Sequence, residues 1–240
     1  MKLGIIGCGT RITGMAKLVL ELAGDIKLVA VTDINPENAK GNLQKRGIWN
    51  DEIRMYLDAD QMLGQEELDG VMIGTRCSLH SRYGAKVLKR NLPMFIEKPV
   101  STCMEDLLML KKAYEESKSK VVVSFPLRVT PLAKLAKEII DSGKIGTVEH
   151  VQAYNNVPYG GVYFHNWYRD ENETGGLFLQ KATHDFDYIN NILQIDPVMV
   201  CAMKSKQIFK GDKPAGLYCK DCPEKNTCPE GPYQMKYVKY

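Results

Sequence analysis

The stretch KLGIIGCGT, residues 2–10, constrains the fold more than any other part of the chain. A short apolar run that gives way directly to Gly7 and Gly9 reads as a buried strand ending in a turn that a side chain would obstruct. TGMAKLVLELAG follows as an amphipathic helix, and IKLVAVTD as a second strand closed by Asp33. Strand, glycine turn, helix and second strand make a parallel βαβ unit. In such a turn the first glycine permits the bend and the second lets a phosphate approach the backbone. The N–H groups at the start of the helix, here Thr10, Arg11 and Ile12, then face the anion. Ile12 stands where a third glycine completes the fingerprint, so looser helix packing is expected there. Asp33 is placed to accept hydrogen bonds from ribose hydroxyls and to repel a 2′-phosphate, which predicts NAD rather than NADP.

The same rhythm continues to about residue 125. LDGVMIGT, MFIEKP and KVVVSF read as further all-apolar strands, separated by a helix from about Ser81 to Lys89 and by the helix MEDLLMLKKAYEES; Asn35 and Pro36 open another. Short apolar strands alternating with helices predict a doubly wound parallel sheet, the Rossmann plan. Beyond Phe125 the pattern changes. TPLAKLAKEIIDSGKIG is a helix stopping at Gly143 or Gly146, TVEHVQAYNN and PVMVCAMKS alternate like strands, and GGLFLQKATHDFDYINNIL supplies a helix between them. On a helical wheel Phe178, Leu179, Phe186, Ile189 and Leu193 gather on one side, and Gln180, Lys181, His184, Asp187 and Tyr188 on the other. The expected organisation is a dinucleotide-binding domain over 1–125 and an α+β open-sheet domain over 126–240, the latter incomplete.

Composition excludes several classes of function. Hydrophobic residues at 44% and charged residues at 25% are ordinary for a globular chain. A net charge of +3 with no basic run argues against nucleic acid as a partner. No apolar stretch is long enough to span a bilayer and no leader pattern opens the chain, so a cytoplasmic protein without membrane attachment is expected. Cys8, Cys77, Cys103 and Cys201 are scattered singly, as reduced buried thiols are. Cys219, Cys222 and Cys228 cluster as C-x2-C-x5-C, which matches part of a zinc or iron–sulfur ligand set but lacks a fourth ligand; free thiols or a local disulfide are the alternatives.

With the glycine turn, EKP at 97–99 and KATHDFD at 181–187 in view, the chain resembles the glucose–fructose oxidoreductase and inositol dehydrogenase (Gfo/Idh/MocA) family along essentially its whole length. The matching positions are Gly7-Cys8-Gly9, Asp33, His80, Glu97-Lys98-Pro99, Arg128 with Pro131, and Gly175-Gly176 before His184 and Asp187. The resemblance implies NAD as cofactor, Lys98 beside the nicotinamide, and His184 as acid or base from the second domain. It also implies a sugar or polyol substrate, and often a homo-oligomer paired through the second domain. Many inositol-dehydrogenase-like members carry an aspartate where this chain has Gln180. The form QKATHDFD, with Lys181 three residues before His184, and the cysteine cluster mark a subgroup for which the substrate does not carry over. Family members are longer, and the second sheet here is expected to lack strands.

Oxidising a secondary alcohol needs a base for the hydroxyl proton and a cation for the developing alkoxide. His184 is the candidate base and Lys98 the candidate cation. Lys181 lies on the face of His184 and disfavours imidazolium, which Asp185 or Asp187 counters, so the net direction stays open. Thr75, Arg76 and His80 lie in the loop GTRCSLH and, with Glu97, are expected around the cofactor. Arg128 is a candidate for a phosphate, a carboxylate or a salt bridge. Tyr154, Tyr159, Tyr163 and Trp167 are candidates to stack on a sugar ring or to pack a core. Two alternative functions keep the fold: a glycosidase or lyase that oxidises its sugar transiently, and a non-catalytic dinucleotide-binding protein.

Overall fold

The structure is a computed structural model, and it describes residues 1–157, 161–164, 166–207, 213–214, 217–228 and 231. The chain divides into two compact units, Met1–Pro197 and Val198–Tyr240. The first is built on one six-stranded parallel sheet of order β3-β2-β1-β4-β5-β6. Its strands are β1 (Lys2–Ile6), β2 (Lys27–Thr32), β3 (Arg54–Tyr56), β4 (Gly70–Ile73), β5 (Met94–Ile96) and β6 (Val121–Val123). Helices α1 (Thr10–Leu22), α2 (Pro36–Arg46), α3 (Ala59–Gln65), α4 (His80–Leu88) and α5 (Met104–Glu115) are the crossovers.

The sheet is covered on both faces, which is why its strands are apolar throughout. Ile5, Val31 and Met72 meet Ile12, Ala16, Ala39 and Leu43 of α1 and α2 in one core layer. Ile6, Ala30, Val71, Ile73 and Ile96 meet Met62, Leu63, Val87, Leu88 and Leu110 of α3, α4 and α5 in the other. The order reverses between β1 and β4, so their carboxyl ends open a crevice at the switch point. Asn35 caps α2, its side chain accepting from Asn38 N–H at 3.0 Å, with Pro36 as first helical residue. The sequence expectation had passed over β3 and α3; β3 is a three-residue edge strand with only partial burial.

The remainder of the first unit holds α6 (Pro131–Asp141), the one-turn helices α7 (Gly161–Phe164), α8 (Glu171–Thr174) and α9 (Leu177–Gln180), and α10 (Thr183–Leu193). Gly143 and Gly146, both left-handed at φ 70° and 71°, follow α6 as expected. Two expectations fail. TVEHVQAYNN and PVMVCAMKS are not in a sheet; each lies largely exposed, and no strand among the described residues pairs with them. Alternation predicts a strand only where a neighbour exists to hydrogen-bond it. Nor is 177–193 one helix: the chain turns at Lys181–Ala182 between α9 and α10. The wheel therefore does not run through, and Phe178 and Phe186 are half exposed while Gln180 is buried.

In the second unit, Cys219–Asp221 forms a 3-10 turn and Lys213 pairs with Glu224. All seven cysteines of the chain are free. Cys8 and Cys77 are buried as expected, but Cys103 and Cys201 are exposed. Among the described residues no helix is long and apolar enough to cross a membrane.

Candidate functional site

The sheet ladder runs past the strand ends and lines the crevice with loop residues. Gly7 N–H donates to Thr32 O, Gly74 N–H to Ile6 O, Asp33 N–H to Tyr56 O and Glu97 N–H to Ile73 O, at 2.8–3.1 Å. Gly7 is left-handed (φ 79°), and a Cβ there would lie 2.6 Å from the Thr75 backbone, so only glycine fits both demands. Gly9 is different: a Cβ there would meet only Gly74 O, at 4.0 Å. The space over Gly9 is open, and α1 starts with no side-chain cap and no acidic residue in its first turn. Free N–H groups beside open space are what a phosphate requires.

Packing at Ile12 is tight, contrary to expectation. A Cβ on Gly74 would stand 2.4 Å from Ile12 Cβ, and Ile12 is fully buried. The missing third glycine is replaced across the interface, by the residue that follows β4. The helix approaches the sheet closely because the strand end, rather than the helix, has no side chain.

Asp33 closes the far side of the turn. Its carboxylate accepts from Cys8 N–H at 2.7 Å and from Asn35 N–H at 2.8 Å, one oxygen each. That fixes the group at the end of β2 with lone pairs left for hydroxyl donors. Arg11, the second residue of α1, forms an ion pair with the buried Glu97 at 3.3 Å. His80 is fully buried between two carbonyls, Nδ1 2.7 Å from Pro99 O and Nε2 3.1 Å from Thr75 O. It ties the loop after β4 to the loop after β5, and burial lowers its pKa.

Lys98 follows β5 through the cis-peptide-bonded EKP turn and is half-buried. Its Nζ donates to the backbone carbonyl of Gln180. Burial, opposed by Cys77 and Glu97, lowers its pKa to about 8. His184 stands on the first turn of α10, edge-on to Phe125 with ring centroids 5.8 Å apart. Burial first, then the cations Lys98, Lys181 and Arg11, lower its pKa to about 4; Asp185 opposes them and loses. Asp185 is engaged elsewhere, pairing with Lys181 at 3.6 Å and accepting from Asn155 at 2.8 Å. Among the described residues, His184 Nδ1 and Gln180 Oε1 are two of the three buried side-chain polar atoms without a hydrogen-bond partner. Orphaned polar atoms near a half-buried lysine mark a place where a polar ligand belongs.

Other expected residues fall outside this cluster. Arg128 makes a bidentate pair with Asp187, one bond at 3.0 Å, so it is a structural bridge from the turn after β6 to α10. Tyr154 is largely exposed, and Tyr159 lies outside the described residues. Trp167 has the Arg76 guanidinium 3.9 Å from its ring centroid and Tyr168 stacked at 3.9 Å, so both faces are taken and none is left for a sugar. Cys219, Cys222 and Cys228 are free thiols, and among the described residues no three His, Cys, Asp or Glu side chains could hold a metal ion. Sequence reasoning missed Gly74, and it gathered Gln180 with Lys181 and His184 on one polar helical face, whereas Gln180 is buried at the end of α9.

The strand order, the glycine turn at the switch point and the terminal acid define a Rossmann dinucleotide-binding architecture, with a lysine and a histidine brought together at its edge. Comparison with known proteins makes this more specific. Residues 1–125 match the model described as oxidoreductase family, NAD-binding Rossmann fold, and residues 133–217 match the GFO/IDH/MocA C-terminal domain. The chain belongs to the GFO/IDH/MocA oxidoreductase family. It is 32% identical over 178 residues to YteT of Bacillus subtilis, covering 70% of this chain and 42% of that protein. It is 28% identical over 218 residues to inositol 2-dehydrogenase of Rhizobium meliloti, covering 91% and 62%. The WlbA dehydrogenase from Bordetella pertussis, solved in complex with NADH and UDP-GlcNAcA, superimposes with a TM-score of 0.69 at 25% identity, over 79% of this chain and 56% of that one. The chain thus spans less than two thirds of the length of each.

Proposed function

We propose that this chain is the dinucleotide-binding and catalytic part of an NAD-dependent oxidoreductase that moves a hydride between nicotinamide and a secondary alcohol of a sugar or polyol. The observation that carries the reading is the meeting of Lys98, which donates to the Gln180 backbone carbonyl, with His184, whose pKa Lys98 helps to lower, in a region where His184 Nδ1 and Gln180 Oε1 have no partner. Family membership supports the cofactor, and a relative named for inositol and another solved with UDP-GlcNAcA support the substrate class.

Bound NAD supplies the hydride acceptor. Gly7, Gly9, Thr10, Arg11 and Ile12 form the turn against its phosphates, Asp33 takes the ribose hydroxyls, and Thr75, Arg76, His80 and Glu97 shape the loops beside it. A 2′-phosphate would face the Asp33 carboxylate, so NADP is disfavoured. With its pKa near 4, His184 is neutral at pH 7 and so able to take the hydroxyl proton as base. Lys98, with a pKa near 8, is still a cation at pH 7 and stabilises the alkoxide as it forms. Lys181 acts on both groups, holding His184 unprotonated. Residues of the first unit beyond Phe125, Lys181 and His184 among them, carry the substrate side of the site, and a homo-oligomer is the assembly that the family resemblance implies. Seven free cysteines suit a reducing compartment, which supports a cytoplasmic location.

The test is turnover with NAD and a panel of sugars and polyols, read as NADH formed. Lys98→Ala should lower kcat by about a hundredfold or more while NADH still binds. Unchanged turnover in that variant refutes the assignment. Release of an aglycone without net NADH would replace it by transient oxidation and elimination.

A further inference from the structure

The cysteine cluster of the second unit has no part in hydride transfer, yet its backbone places two of its thiols with some care. Cys219 is the first residue of the 3-10 turn Cys219–Asp221, and Cys222 is the residue at which the chain leaves it. Cys222 N–H donates to Cys219 O at 3.3 Å, and Asp221 N–H donates to Tyr218 O at 2.9 Å. In 3-10 geometry, side chains three residues apart eclipse one another, so the two thiols leave the turn on the same side. A turn closed this way holds its first and fourth Cα atoms within about 7 Å, and disulfides span Cα atoms about 4.4–6.8 Å apart. Both sulfurs are reduced; Cys219 is exposed and Cys222 half-exposed, so a reagent can reach them.

The neighbours sharpen the choice of chemistry. Among the described residues no three His, Cys, Asp or Glu side chains gather to hold a metal ion, so the pair is not part of a metal site there. Cys228 belongs to a separate turn, its N–H donating to Glu224 O at 2.8 Å. Lys225 Nζ reaches back to Lys220 O at 3.1 Å, bringing a cation to a carbonyl inside the Cys219–Cys222 turn. Thiol–disulfide exchange carries negative charge on its attacking and leaving sulfurs, and a nearby cation suits that step. In a reducing compartment a surface pair of this kind is a transient, redox-responsive one rather than a structural staple.

We propose that Cys219 and Cys222 are a redox-active dithiol, closed to a disulfide within the turn by exchange with a low-molecular-weight disulfide. Cys219, the more exposed, gives up its proton and its sulfur attacks the incoming disulfide; that S–S bond breaks, a mixed disulfide forms on Cys219, and one thiolate leaves and is protonated. Cys222 then gives up its proton and attacks the Cys219 sulfur, closing the turn and releasing the second thiol. The dithiol loses two electrons and two protons, and the small disulfide gains both.

The full chain is equilibrated with glutathione disulfide, quenched in acid, alkylated with N-ethylmaleimide and mapped by peptide mass spectrometry. Trypsin cuts between the two cysteines at Lys220, so the bond appears as two joined peptides, one ending at Lys220 and one at Lys225. The expected result is that Cys219 and Cys222 lose alkylation together, that excess reduced glutathione restores it, and that the exposed Cys103 and Cys201 stop at mixed disulfides. Cys222→Ser should halt at a glutathione adduct on Cys219, and Cys228→Ser should close as the parent does. Cys219 and Cys222 left fully alkylated, or a disulfide mapped to Cys228 instead, overturns the proposal. Protection of all three thiols by added zinc, reversed by a chelator, overturns it in favour of a metal site.

Discussion

Gly74→Ala tests whether a glycine on the strand end replaces the missing glycine of the helix. The new Cβ would stand 2.4 Å from Ile12 Cβ and 2.8 Å from both Cγ atoms. Ile12 Cβ is one bond from the helix backbone and cannot swing aside, so α1 must move off the sheet. Overpacking of this kind costs about 1–3 kcal/mol, or roughly 2–4 °C of Tm per kcal/mol in a chain of this size. Ile12→Gly alone loses a fully buried isoleucine, about 2–5 kcal/mol, plus about 1 kcal/mol for glycine inside a helix. The double variant Ile12→Gly/Gly74→Ala moves the glycine back to the helix and completes the fingerprint begun by Gly7 and Gly9. It should be less destabilised than the sum of the single changes by about 1–3 kcal/mol. Denaturant unfolding of all four proteins closes the cycle. Additive effects, or a Gly74→Ala variant as stable as the parent, would refute the reasoning.

Other predictions follow from burial and charge. Lys98 is lowered to about 8 from an unfolded value of 10.5, so between those values the unfolded chain binds more protons and stability rises with pH; Lys98→Met should be no less stable than the parent at pH 7 and should lose that rise in a Tm–pH series. His184 is lowered to about 4 from 6.5, so its contribution is complete above pH 6.5 and is lost as pH falls towards 4; His184→Phe should flatten that window of the same series. The pH profile of kcat/KM should show an acid limb near 4 and an alkaline limb near 8, the alkaline limb shifting upwards in Lys98→Arg. Arg128→Ala strands the almost fully buried Asp187, whereas Asp187→Ala strands a half-exposed arginine that water can reach. The first should cost more, by about 1–3 kcal/mol in urea unfolding.

The nucleotide-binding half was legible because its signals are local. Each buried strand is a continuous apolar run, and Gly7 and Asp33 stand at strand ends where the turn chemistry names them. β3 was not legible, because Arg-Met-Tyr at a sheet edge has neither an apolar run nor full burial. The compensation at Gly74 depends on a contact with Ile12 across the sheet, and no window along the chain contains both. Lys98 in the first half and His184 in the second were found through motif resemblance and not through periodicity. A helical wheel drawn over 175–193 assumed an unbroken helix, and the turn at Lys181–Ala182 put Gln180 into the interior and left Phe178 and Phe186 half exposed. TVEHVQAYNN and PVMVCAMKS have strand patterns, but pairing belongs to two segments at once and cannot be read from one.

Titration calorimetry with NADH and NADPH, on the parent chain and on Asp33→Ala, tests the central claim most directly. The parent is expected to bind NADH and discriminate against NADPH, and Asp33→Ala to weaken NADH and narrow the difference between the two. Binding of neither dinucleotide, or equal binding of both by the parent, would contradict it.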